Sequence, residues 1–94
     1  MAVVRTINGD VSPDTLGVVN AHDHLIRVGA GEVYIDSDHL LDDVDKAAQE
    51  ATYFVEASKN WAAGGTIIDM CPASSGRGVF KTLQVVEKVP GLQV

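Results

Sequence analysis

Ninety-four residues, 46% of them hydrophobic, describe a chain of single-domain length that can bury a core. A formal net charge of −6, with seven scattered Lys and Arg, argues against a nucleic-acid binder, since phosphate backbones are held by clustered basic residues. No apolar run approaches the roughly 20 residues needed to span a bilayer, the start lacks the pattern of a secretion signal, and the single cysteine, Cys71, fits a reducing compartment. A cytoplasmic location without a membrane partner is therefore the expectation.

The first segment, "VVRTINGDVS", sets Asn8-Gly9 between two short β-rich runs, which predicts a tight hairpin turn needing positive φ. Ser12-Pro13-Asp14 breaks that run. "LGVVNAH" follows as a buried extended segment that ends at His22 and His24. Residues i and i+2 of a strand share a face, so the two imidazoles lie side by side, with Cα atoms roughly 6.6 Å apart, while Asp23 turns to the other face. Each ring can reach a metal at about 2.0–2.1 Å from nitrogen, which makes His22 and His24 a candidate chelating pair. A lone histidine here would more often bond to its neighbours; a pair on one face at a strand end favours a metal.

From Val28 to Asp38 the chain reads as a loop, with Gly29 and Gly31 flanking Ala30. It lacks the third glycine of a dinucleotide fingerprint, and so reads as a wall facing a substrate instead of a phosphate cradle. Val44, Ala48, Ala51 and Val55 then recur at helical spacing, predicting a long amphipathic helix that starts near Asp42 and stops at Gly64-Gly65. Asp42, Asp43 and Asp45 complement its positive end. His39, among acids just before that helix, reads as a surface residue.

"TIIDM" is a short β-branched run, "CPASSGRG" a loop, and "VFKTLQVVEKV" a second helix ended by Pro90-Gly91, after which Leu92-Gln93-Val94 begins another strand. Strands alternating with helices imply a parallel sheet with right-handed crossovers. Asp69 closes its strand at the position His24 occupies on the earlier one, and ligands in such sheets bind beyond the carboxyl ends of strands. Asp69 can orient a metal-bound histidine from behind, bond a basic side chain such as Arg77, or cap its own loop. Cys71 reads as a small buried residue, not a nucleophile, because the sequence offers it no activating partner.

With "LGVVNAHDHLI" and "AAGGTIIDMCPASSGR" both in place, the chain resembles the N-terminal portion of the phosphotriesterase-like family of the amidohydrolase superfamily. The likeness covers nearly the whole chain. Two positions depart from the family pattern: Asp23 stands where Glu is usual between the histidines, and Gly78 where Asp usually follows Gly-Arg.

The resemblance implies an α/β fold that forms part of a (β/α)₈ TIM barrel, with a hairpin in residues 1–16 and the first two βα units and the start of the third strand in 17–94. It implies two divalent metals, commonly zinc, in the complete barrel, with His22 and His24 on the more buried ion and Asp69 behind the ligands. The other ligands of such enzymes, a carboxylated lysine or glutamate, two histidines and an aspartate, come from later strands. The implied activity is hydrolysis of a small phosphoester, lactone or related ester or amide by metal-activated hydroxide. Residues 1–94 alone are expected to hold a partial site, inactive without the rest of a barrel and prone to self-association. The rival reading is a small metal-free α/β interaction module, against which a sheet this narrow would leave edges and apolar faces uncovered.

Overall fold

The computed structural model describes residues 2–94. β1 (Val4–Thr6) and β2 (Gly9–Val11) pair antiparallel with Thr6 opposite Gly9. Gly9 takes a φ of 113°, which only glycine adopts freely, and Thr6 Oγ1 donates to its carbonyl at 2.8 Å. The ribbon is tied to the rest of the chain where Ile7 N donates to Val94 O at 2.8 Å.

The main sheet has the order β3 (Val18–Asp23), β4 (Gly65–Asp69), β5 (Leu92–Gln93), all parallel. Between β3 and β4 the chain forms α1 (Gly31–Ile35) and α2 (Val44–Ser58); between β4 and β5 it forms α3 (Val79–Lys88). The expected helix from 79 onward is thus present, and the expected strand beginning at Leu92 is β5. Segment 28–38, read from sequence as loop, carries the single turn α1.

The Asp43 side chain accepts a hydrogen bond from Lys46 N at 3.0 Å and fixes the start of α2. Its end differs from expectation. α2 stops at Ser58, whose hydroxyl turns back to Phe54 O, and residues 59–62 leave it in tight turns. Gly64 and Gly65 belong to the approach and start of β4, where a Cβ on Gly64 would overlap the Gly91 carbonyl and one on Gly65 the Phe54 ring. Close packing, not a left-handed cap, explains why glycine stands there.

Ile26, Ala51, Val55, Ile67, Val85 and Val89 form the centre of the core between sheet and helices. Burying such side chains contributes about 1.5–3 kcal/mol each. Val19 and Ile68 point to the opposite sheet face and remain 42% and 44% exposed. Among the described residues no helix is long and apolar enough to cross a membrane.

Candidate metal centre

The histidine pair owes its position to an irregularity in β3. Asn20 pairs with Ile67 and Asp23 with Asp69, so β3 carries one residue more than β4 over the same interval. Such a bulge bends a strand and re-aims its side chains. The rings of His22, within this interval, and His24, just after it, stand edge to face with centroids 5.6 Å apart and planes at 72°. The expected side-by-side placement is therefore present at the carboxyl end of the strand.

The Asp23 carboxylate fixes the local backbone. One oxygen accepts from Asn20 Nδ2 and the other from His24 N, both at 2.7 Å, while Asn20 Oδ1 accepts from His22 N at 3.3 Å. Two residues on, Ile26 is fully buried and anchors the exit of the strand in the core. His22 is exposed and His24 half-buried. His24 Nδ1 is nevertheless shut off from solvent and has no hydrogen-bond partner among the described residues. A buried polar atom left unpaired costs about 1–3 kcal/mol, so it invites a ligand.

Asp69 reaches the same place from β4. Met70 N donates to Asp23 O at 2.9 Å, which holds the ends of the two strands together. Asp69 Oδ1 accepts from Cys71 N at 2.8 Å, capping its own loop. One donor atom each from His24, Asp69 and Cys71 lie within 4.8 Å of one another. Cys71 is buried, at 2% exposure, as expected; that it faces a histidine and a carboxylate was not legible in the sequence.

The pairing of Asp69 with Arg77 does not occur. Arg77 forms no ion pair among the described residues, and its backbone bridges to Arg27 instead. The Asp69 carboxylate lies instead beside His24 and Cys71. His39 is exposed, as its acidic surroundings suggested.

The two strand-end loops are clasped together. Val28 N donates to Gly76 O at 2.8 Å, and Ser75 Oγ donates to Glu32 Oε1 at 2.9 Å. A hydrogen bond from its own backbone N–H, with that from Ser75, holds the Glu32 carboxyl below its usual range. A cleft of about 580 Å³ lies on the helix-facing side of β3, between Asn20, Asp23, Lys46, Glu50 and Phe54. His24 borders it, but His22, Asp69 and Cys71 do not, so shape alone would have pointed away from the convergent donors.

The donor set fits a divalent cation. One imidazole, a carboxylate and a thiol meet at the carboxyl ends of adjacent parallel strands, a second imidazole stacks edge to face on the first, and one imidazole nitrogen is buried without a partner among the described residues. Fold and donors together define a class, an α/β chain with a strand-end site suited to a metal.

Comparison with known proteins narrows that class. No protein-family model matches the chain. Over 88 residues it is 36% identical to a phospho-furanose lactonase of Mycoplasmopsis agalactiae, a match covering 94% of this chain and 24% of the relative. The crystal structure of an amidohydrolase from Mycoplasma synoviae superposes with a TM-score of 0.86 at 36% identity, over 98% of this chain and 25% of the other. A lactonase from Listeria monocytogenes gives 0.84 at 31%, over 98% and 26%. The fold alone extends to a phosphotriesterase from Mycobacterium tuberculosis, with a TM-score of 0.64 at 22% identity, over 98% and 28%. In sequence and fold the chain is similar to part of an amidohydrolase and of lactonases. It spans about a quarter of the length of these relatives.

Proposed function

We propose that the chain supplies the histidine pair of a metal-dependent hydrolase of the phosphotriesterase-like type, with a lactone as substrate. The observation that carries this reading is the edge-to-face pair His22 and His24 at the carboxyl end of β3, 5.6 Å between ring centroids. The choice of lactone over phosphotriester follows the relatives above 30% identity, two of which are named as lactonases. One of these names specifies a phospho-furanose lactone, so a five-membered sugar lactone bearing phosphate is the first compound to offer.

In this reading His22 and His24 hold a divalent ion, zinc in the first instance, and Asp69 stands beside them from β4. When bound, the ion would make water more acidic and polarise the carbonyl under attack. The work of this chain is positional. Asn20 and Asp23 fix the backbone of both histidines through hydrogen bonds of 2.7–3.3 Å, and Ile26 locks the exit of the strand. The clasp between Val28, Glu32, Ser75 and Gly76 holds the two adjacent loops over the strand ends, where a substrate would lie. The remaining ligands and most of the substrate wall belong to further strands of a complete barrel, in the cytoplasm.

The test is hydrolysis of phosphorylated sugar lactones and of a phosphotriester by the full-length protein before and after chelation. Lactone turnover that chelator abolishes and zinc restores is expected. Turnover indifferent to chelator would contradict the metal, and preference for the phosphotriester would contradict the substrate class.

A further inference from the structure

We propose that Arg27 and Arg77 together form a binding site for a phosphate-type oxyanion, where the loop after β3 meets the loop after β4. The inference goes beyond the hydrolase reading and does not depend on it.

The pairing comes from the backbone. Arg27 bridges antiparallel to Leu41 on one side and to Arg77 on the other, and Val28 N donates to Gly76 O at 2.8 Å beside the second bridge. Residues directly opposite in an antiparallel pair project to the same face, with Cβ atoms roughly 4.5–5.5 Å apart. The neighbours agree with this sidedness. A Cβ on Gly78 would run into Ile26 Cγ2 and Val28 Cγ1, so Ile26, Val28 and position 78 share one face, and by alternation Arg27 and Arg77 take the other. Two guanidinium groups, charged at any physiological pH, thus project side by side.

Their charge is left unanswered. The chain carries 13 acids against 7 basic residues, yet neither arginine makes an ion pair among the described residues. Glu32 feels Arg27 only as a charge beyond ion-pair reach, and its carboxylate is already held by Ser75 and by its own backbone N–H. Arg27 Nε is shut off from solvent and has no partner among the described residues. Like charges directly opposite are destabilising, and so is a buried donor without an acceptor. One oxyanion relieves both, since its charge offsets the repulsion and its several oxygens accept from the forked N–H groups of each arginine. Arg27 is half-buried and would form the floor of the site, while Arg77 is exposed and reachable from solvent. The pair also lies beyond the carboxyl ends of two parallel strands, the side on which such sheets receive ligands.

The experiment uses the full-length protein as isolated, with inorganic phosphate as the probe. Calorimetric titration and denaturation midpoints are compared for the parent, Arg27→Met and Arg77→Met, the exposed Arg77 keeping the test open if the Arg27 variant fails to fold. Phosphate should bind the parent and raise its midpoint. Either substitution should weaken that binding at least about tenfold. Without phosphate, Arg77→Met should be no less stable than the parent, because it removes a like-charge contact; an arginine serving only the fold would give the opposite sign. Absence of phosphate binding by the parent, or binding by Arg77→Met as tight as the parent's, would overturn the site. Destabilisation of Arg77→Met in the absence of phosphate would show that a carboxylate elsewhere in the full-length protein already pairs the arginines, and would overturn it as well.

Discussion

Gly76 packs against Gly29 so closely that a Cβ on Gly76 would overlap the Gly29 carbonyl oxygen, and its φ of 85° lies in the left-handed region. This contact closes the loop after β4 onto the loop after β3. Gly76→Ala therefore combines backbone strain with a clash against main chain, and should cost at least about 2 kcal/mol. Gly29→Ala meets nothing within 4 Å and carries only the strain of its φ of 137°. Chemical denaturation of both variants should place Gly76→Ala well below Gly29→Ala; equal midpoints would show that the loops are not clasped in solution.

Ile26 is fully buried two residues beyond His24 and offers no donor atom. Truncation to Ala should destabilise by about 2–5 kcal/mol and to Val by about 0.5–1.5 kcal/mol. If it anchors the histidines, Ile26→Val should also weaken metal binding slightly while leaving stoichiometry unchanged. Denaturation midpoints together with metal titration check both parts, and an Ile26→Ala protein as stable as the parent would remove this residue from the core.

Glu32 supplies a pH dependence whose sign is fixed by its environment. Its folded pKa is depressed by a backbone hydrogen bond and by Ser75, so its contribution is fully present above the ordinary carboxylate range. It is lost as pH falls through the depressed value. Glu32→Gln and Ser75→Ala should each flatten stability against pH in that acidic window and change little at neutral pH. Denaturation curves collected from neutral to acid pH measure this directly; an unchanged acid limb in both variants would exclude the pair as its source.

Where periodicity and local chemistry decide, the sequence was legible. The β-branched run into His22 and His24 became β3, and the apolar spacing of Val79, Leu83 and Val86 became α3. The end of α2 was not, because Gly64 and Gly65 look like a helix stop yet serve close approach to Gly91 and Phe54. Nor was the partner of Asp69. From sequence Arg77 was a natural candidate by charge and proximity, but the parallel register brings Asp69 to Asp23 and so beside His24, and the turn at Cys71 returns the thiol to the same point. Such convergence depends on the pairing of strands far apart in the chain, which no local pattern encodes.

The central claim is that His22 and His24 bind metal, and its most direct test is the metal content of the full-length protein by elemental analysis. The parent, exchanged into metal-free buffer, should retain zinc or another divalent ion, while His22→Ala and His24→Ala each lose most of it and the double variant nearly all, with far-ultraviolet circular dichroism unchanged. Full metal stoichiometry in the folded double variant would contradict the account.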